Sequence, residues 1–325
     1  NDSGTFFCVG KSHWKGDLES GEFSKEHGQI TRTLATMYLK LCEKYALRFN
    51  WRGYCVDDQT EALTDRGWVG IDDLIESDKI LSYNGENLVW SSIKSIYRSE
   101  YHGNMFHLSH RSFDTLITPK HKLVTDRGLI QVEYLKEKDR ILLMGSHIIN
   151  DESLHSDSFV ELIGWMITEG CYERNKNNIV KNISIFQNVG LKADRIRKCL
   201  QTLNYEFSES IKNNLIKFRI FKKSTNDLLE VCPDKNITMN FITSLSQSQK
   251  LLLIETMIDA DGWRRGNNSS YVQKCNTHTD MFVALCTLAG IRTTVKTRST
   301  LQYINKSYSY GIESNYNVVN LLSSK

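Results

Sequence analysis

Apolar residues at Ile30, Leu34, Met37, Leu41 and Tyr45 recur at steps of four, three, four and four, the spacing of an amphipathic helix. Ser24 precedes the stripe as a candidate N-cap. One helix of about twenty residues cannot bury its apolar face alone, so residues 1–54 read as a helical piece of something larger. From residue 55 to about 145 the texture changes to short apolar runs broken by Arg66-Gly67, Asn84-Gly85 and Arg127-Gly128. Asn84-Gly85 stands between Leu81-Ser82-Tyr83 and Leu88-Val89-Trp90, which predicts a hairpin, and the whole stretch should be nearly all β. Beyond residue 157 the pattern changes again. Helix-like apolar runs at 159–168 and 250–260 are each followed by a polar turn, strand-like residues and a second helix.

Laid over one another, these two stretches form an internal repeat. The first reads LIGWMITEG, then IFQN, then KADRIRKCLQTLNY. The second reads IETMIDADG, then YVQKCN, then THTDMFVALCTLAGI. Element order, the Gln after the strand and the helix phase all match, so two similar halves of about 90 residues should pack about a pseudo-dyad.

Composition narrows the class. Hydrophobic residues are 40% and charged residues 24%, which excludes wholesale disorder and collagen-like structure. No apolar run has the ~18–20 residues of a membrane span, and no signal-peptide pattern opens the chain, so no membrane partner is expected. Two prolines in 325 residues argue for short connections between domains. Residues 151–325 carry 22 Lys+Arg against 17 Asp+Glu, leaving 19 against 21 of the whole-chain 41 and 38 for residues 1–150. Such a balance is an ordinary surface or a nucleic-acid face; charge alone does not choose. Cysteines at 8, 42, 55, 171, 199, 232, 275 and 286 form no C-x-x-C pair and no Cys/His cluster with zinc spacing. Reduced thiols in the cytoplasm of a bacterial or phage-infected cell are expected, seven of them as small buried apolar residues.

Both repeat helices end in acid-Gly, at Glu169-Gly170 and Asp261-Gly262. Gly164 aligns with Thr256 and Thr168 with Ala260, and small residues on one face let two helices approach closely. Side by side, the helices would bring Glu169 and Asp261 together, where two carboxylates repel each other and both helix dipoles unless a cation lies between them. That pairing suits Mg²⁺, or another divalent cation such as Mn²⁺, and phosphodiester hydrolysis. A single acid-Gly helix end would be an ordinary cap; two in register change the reading.

The pair LIGWMITEG and IETMIDADG resembles the LAGLIDADG homing endonucleases in their single-chain, two-motif form. The second copy keeps I-D-A-D-G, whereas the first carries Glu where the family usually has Asp. The resemblance implies a monomeric enzyme that lays antiparallel strands on double-stranded DNA and cuts it with metal held by Glu169 and Asp261. Candidate DNA-contacting strand residues are Lys176, Lys181, Gln187, Lys217, Arg219, Lys222, Arg264, Arg265, Gln273, Lys274, Lys296 and Arg298. For any one of them a solvated strand face is an equal alternative. The family's basic residue near the metals has no assigned counterpart.

Cys55 opens CVDDQTEALTDRGWVGIDDL, and DTLITPKHKLVTDRG follows some sixty residues later. The leading Cys and the T-x-x-H of Thr118 and His121 resemble the N-terminal splicing blocks of inteins, the Hint-type domains that often carry a LAGLIDADG insertion. The chemistry is coherent. The Cys55 thiol can attack the carbonyl preceding its own amide and shift the acyl group from N to S. His121 would protonate the leaving nitrogen, and Thr118 would bond to the scissile amide between Tyr54 and Cys55. Splicing inteins end in His-Asn, a dipeptide that occurs nowhere in this chain. The closing blocks are therefore expected to be truncated or supplied by a separate C-terminal intein and host segment.

The architecture expected is multidomain. Residues 1–54 would be a helical host fragment, in which GQITRTLATMYLKLCEKYALRFNWRGY resembles a helix of phage late-transcription sigma factors. Residues 55–150 would be the N-terminal part of a β-rich Hint-like domain, and 151–325 an α/β endonuclease with two pseudo-symmetric repeats. The rival readings are a LAGLIDADG module that grips nucleic acid without cutting, as maturases and some regulators do, and a host nucleic-acid-binding protein with a decayed insertion.

Overall fold

The computed structural model describes residues 55–98, 100–110, 113–147, 153–266, 268–274, 276–303 and 311–322. The helix expected at 24–45 and the sigma-factor resemblance fall on residues 1–54, outside the described residues. The described chain is mixed α/β and divides into two units. One holds residues 55–61, Gly70–Ser77 and Ile93–Leu142; the other holds Ala62–Val69, Asp78–Ser92 and the chain from Leu143 onward. The division crosses the segment 55–150 rather than following one cut in the chain.

Residues 55–147 are β throughout, apart from a short 3-10 turn at Val132–Tyr134. The strands are β1 (Glu61–Thr64), β2 (Gly67–Gly70), β3 (Lys79–Tyr83), β4 (Asn87–Ser92), β5 (Phe106–His110), β6 (Phe113–Ile117), β7 (Lys122–Thr125), β8 (Gly128–Gln131) and β9 (Ser146–His147). A five-stranded sheet runs β2-β1-β3-β4-β9, while β5–β6 and β7–β8 are separate two-stranded ribbons. The β3–β4 hairpin pairs Tyr83 with Leu88 around Gly85, whose φ of +107° is the left-handed conformation glycine favours.

A second repeat lies in this region. Thr64-Asp65-Arg66-Gly67 and Thr125-Asp126-Arg127-Gly128 build the same turn. In each, the Thr hydroxyl donates to the Gly carbonyl at 2.8 Å and accepts from the Arg amide, and the Gly has positive φ. Each Arg pairs with the Asp twelve residues on, Arg66 with Asp78 at 2.7 Å and Arg127 with Asp139 at 2.6 Å. The paired Arg127 guanidinium holds the Asp139 carboxyl down at about 2.

Residues 157–322 build one motif twice. The first copy comprises α1 (Asp157–Glu169), β10 (Gly170–Arg174), β11 (Val180–Asn188), α2 (Leu191–Thr202), β12 (Phe207–Lys212) and β13 (Leu215–Phe221). Two short helices, α3 (Asn226–Val231) and α4 (Met239–Ser244), lead to the second copy. That copy comprises α5 (Gln247–Asp261), β14 (Gly262–Arg265), β15 (Asn268–Gln273), α6 (Asn276–Leu288), β16 (Arg292–Tyr303) and β17 (Gly311–Leu322). The sheets run β10-β11-β13-β12 and β14-β15-β17-β16, the same order, and Gly170 pairs with Ile185 as Gly262 pairs with Tyr271. One apolar core spans both copies, from Ile183, Ile185 and Phe218 to Tyr271, Phe282 and Val319. Strand alternation puts those residues inward and leaves the opposite face of each sheet open.

Helices α1 and α5 pack side by side and run parallel. At their starts, Gln249 Nε2 donates to the His155 carbonyl at 2.7 Å and to Asp157 Oδ1 at 2.9 Å. At mid-length, a Cβ on Gly164 would lie 2.8 Å from Thr256 Cγ2. Only glycine permits that approach, as the small-residue alignment anticipates. α1 is buried nearly all round from Phe159 to Ile167, Glu161 excepted, which explains how apolar this run is.

Gly164→Val should therefore destabilise the chain by about 1–3 kcal/mol through overpacking. Urea unfolding would measure this, and adding Thr256→Ala should recover part of the loss, because the two positions share one contact. A midpoint unchanged by Gly164→Val would contradict the close crossing.

Candidate active site

The parallel crossing carries both helices to a common end. Glu169 closes α1 and Asp261 closes α5, each followed by a glycine in extended backbone. A Cβ on Gly170 would lie 2.2 Å from the Met166 carbonyl oxygen, and one on Gly262 2.4 Å from the Ser270 carbonyl oxygen. The chain can turn so tightly from helix into strand only with glycine there. Burial raises the Glu169 carboxyl above its ordinary value, and the nearby Asp261 charge raises it further. Burial likewise raises Asp261. Both groups also face the negative ends of their own helices.

Three side chains offset this crowding. Gln187, at the end of β11, donates from Nε2 to Glu169 Oε1 at 3.3 Å. Lys235, just before α4, donates to the Thr168 carbonyl at 3.3 Å, and Lys192, in the first turn of α2, donates to the Asp259 carbonyl. Each lysine thus occupies one helix C-terminus, and the charges of both pull the two carboxyls downward. The acid-Gly motif does not reveal these lysines, since they come from other segments. The only signal is that Lys192 lies five residues after the Gln that both repeats share.

Hard oxygen donors suit the divalent cation expected here. Among the described residues no group of three or more His, Cys, Asp or Glu gathers to hold a metal. Two carboxylates would need water, carbonyls or phosphate oxygens to complete a shell, as Mg²⁺ sites commonly do. The residues fit such an ion.

The expected DNA-contacting residues divide into groups. Lys217 and Arg219 lie on the open face of the first sheet, where both bind Glu173. Lys181 is exposed on β11, Arg265 on β14 and Lys296 and Arg298 on β16; Lys176 is exposed in the β10–β11 turn, Lys222 just after β13 and Lys274 just after Gln273. Gln187 turns inward to Glu169, because it shares the parity of Ile183 and Ile185. Its repeat partner Gln273 donates to the Tyr271 hydroxyl at 3.2 Å. Arg264 binds back onto α5, to Glu255 at 2.5 Å and Asp259 at 3.0 Å. Cys199, Cys232 and Cys286 are buried thiols, whereas Cys171 is exposed on β10 rather than buried.

In the other unit, the Cys55 amide donates to Thr118 Oγ1 at 3.0 Å, and Thr118 N–H donates to the Cys55 carbonyl at 3.1 Å. The Thr118 hydroxyl also donates to that carbonyl at 3.3 Å. The His121 amide donates to the Thr118 carbonyl at 3.0 Å, closing the T-x-x-H turn. Thr118 is fully buried. Its hydroxyl therefore has a fixed set of partners at the amide that an N-to-S shift would break.

No protein-family model matches the chain. Among curated proteins it is 22% identical over 262 residues to the DNA-directed RNA polymerase subunit beta C-terminal section of Stigeoclonium helveticum, covering 67% of this chain and 24% of that protein. The chain thus spans about a quarter of the length of the curated relative it matches. Among solved structures it is similar to the homing endonuclease I-DmoI in complex with DNA and Ca, at 13% identity and a TM-score of 0.36, over 51% of this chain and 83% of that one. It is also similar to the N-terminal LAGLIDADG domain of DUF199/WhiA, at 10% identity and a TM-score of 0.32, over 53% and 80%. Likeness at this level says nothing of activity.

Raised carboxyls favour the folded state when protonated, so their contribution is present at low pH and is lost as pH rises through their elevated values. In chelator above that range, Asp261→Asn should raise the melting temperature by about 2–4 °C for each kcal/mol of repulsion relieved. Mg²⁺ should stabilise the wild type increasingly as the carboxyls deprotonate and leave Asp261→Asn unmoved. Calorimetric melting with and without Mg²⁺ would show both effects. Equal Mg²⁺ stabilisation of the two proteins would exclude metal binding by this pair.

Proposed function

We propose that residues 157–322 form a LAGLIDADG-type endonuclease that makes metal-dependent double-strand breaks in DNA. The observation that carries this reading is the pair Glu169 and Asp261, held together at the ends of two parallel helices beside Lys192 and Lys235. A bound divalent ion would supply Lewis acidity to the phosphate and an activated water. Glu169 and Asp261 would hold it. Gln187 fixes the Glu169 carboxylate, and the two lysines place positive charge where a phosphate's charge would build up. The open faces of the two sheets, with Arg265, Lys296 and Arg298 exposed, would lie against the duplex.

The splicing reading belongs to the other unit. Cys55, Thr118 and His121 would form the acyl-shift site of a Hint-like domain, supported by the Thr118 hydroxyl bonded to the Cys55 amide at 3.0 Å. The Cys55 sulfur attacks the preceding carbonyl carbon, the C–N bond breaks, and the freed amine takes a proton. Residues 1–54 would be the host segment carried on that thioester.

Asp261→Asn or Glu169→Gln should abolish cutting of a target duplex in Mg²⁺ while retaining binding, since neither removes an open-face side chain. Binding should weaken steeply with salt, because phosphates carry much of the contact. A double variant that still cuts would reject these two residues. A wild type that binds but never cuts in Mg²⁺ or Mn²⁺ would favour the non-cutting module.

For the splicing site, dithiothreitol should release residues 1–54, because thiolates attack thioesters readily. Mass spectrometry of the purified chain would follow it. Cys55→Ala should eliminate release and His121→Ala should slow it strongly. Thiol-dependent release that persists in Cys55→Ala would overturn this assignment.

A further inference from the structure

The open face of the first sheet carries an acid that reaches in from the edge strand β10. Glu173 on β10 accepts from Lys217 Nζ at 2.8 Å and Ser184 Oγ at 2.7 Å on one oxygen. Its other oxygen accepts from Arg219 Nε at 2.9 Å and Asn182 Nδ2 at 3.2 Å. These donors come from β11 and β13, so one carboxylate ties three strands together across the face. Burial works against ionisation of Glu173, but the hydrogen bonds from Lys217, Ser184, Arg219 and Asn182 outweigh it and hold the carboxyl at about 2. Four donors fill the acceptor positions of a carboxylate, so Glu173 offers nothing further to a ligand.

The consequence falls on the two cations. Arg219 reaches Glu173 Oε2 through both Nε and Nη2, so the plane of its guanidinium is fixed. Lys217 is held by Glu173 on one side and lies 5.7 Å from the centre of the Phe186 ring. A guanidinium held in one plane presents its donors in the fixed geometry that bidentate recognition of a guanine edge uses, whereas the sequence-independent phosphate contribution to affinity comes from charge. The acid also cancels one of the two positive charges. The fold does not demand it: the second copy carries Arg265 at the corresponding position, three residues after Gly262 as Glu173 is after Gly170.

Resting on the nuclease reading, we propose that Glu173 is a specificity-determining positioning residue, which holds Lys217 and Arg219 as oriented readers of base edges and withholds them from the phosphates. It makes the first half of the DNA surface selective where the corresponding place in the second half is simply basic.

The test measures binding of the full chain to a duplex library with a randomised central tract, over a series of salt concentrations, for wild type, Glu173→Gln and Glu173→Ala. Freed cations should turn to phosphates. The slope of log affinity against log salt should then steepen by about 0.9 for each cation released, up to about 2 in Glu173→Ala. Sequencing the bound fraction should show base preference lost on one side of the wild-type site only. Thermal melting of each variant separates this from a purely structural role, which would lower stability and move neither slope nor preference. A variant that folds and keeps both slope and preference overturns the proposal while leaving the nuclease reading intact. A wild type that binds no duplex overturns both.

Discussion

Two like charges forced together are the constraint on which the rest of residues 157–322 depends. Glu169 and Asp261 meet because Gly164 lets α1 and α5 touch along their length, and because Gln249 fixes the two helix starts together. The glycines after each acid then let the chain turn at once into a strand, so each carboxylate stands at the root of a sheet. Relief comes from Gln187, Lys192 and Lys235, each delivered by a different segment. An arrangement that costs stability without a cation is readily understood as a site for one.

The sheets follow from the same duplication. Each has one face committed to the shared core and one open, and the open faces differ in chemistry. The first carries Glu173 among Ser184, Lys217 and Arg219. The second has Arg265 where the first has the acid, with Ser270 bonded to Asn320 beside it. Two chemically unequal faces on one scaffold suit a partner whose two halves are unlike.

Much of this was legible in the residues, and the exceptions have physical reasons. The helices stand where the apolar runs at 159–168 and 250–260 place them, because α1 is buried nearly all round and α5 buries Leu253, Ile254, Met257 and Ile258. The Asn84-Gly85 hairpin and the repeated element order were equally legible. Lys192 and Lys235 were not, because their role arises from tertiary proximity to helix ends far away in the sequence. Gln187 and Arg264 show the limit of choosing strand residues by type: parity turns Gln187 inward, and Arg264 reaches back to α5. Arg66-Gly67 and Arg127-Gly128 were legible as turns, but the shared Thr-Asp-Arg-Gly geometry and its Arg–Asp pairing twelve residues on arise only from the folded backbone.

We propose that Glu169 and Asp261 jointly hold a divalent ion. Electron paramagnetic resonance of Mn²⁺ tests it without waiting for cleavage, because the sharp signal of the free aquo ion disappears on binding. Titrating Mn²⁺ into the wild-type chain with duplex DNA should leave little free signal until the site is filled. Into the Glu169→Gln, Asp261→Asn double variant with the same duplex, the free signal should rise from the first addition, as with duplex alone. Identical titrations for the two proteins would show that this pair holds no ion.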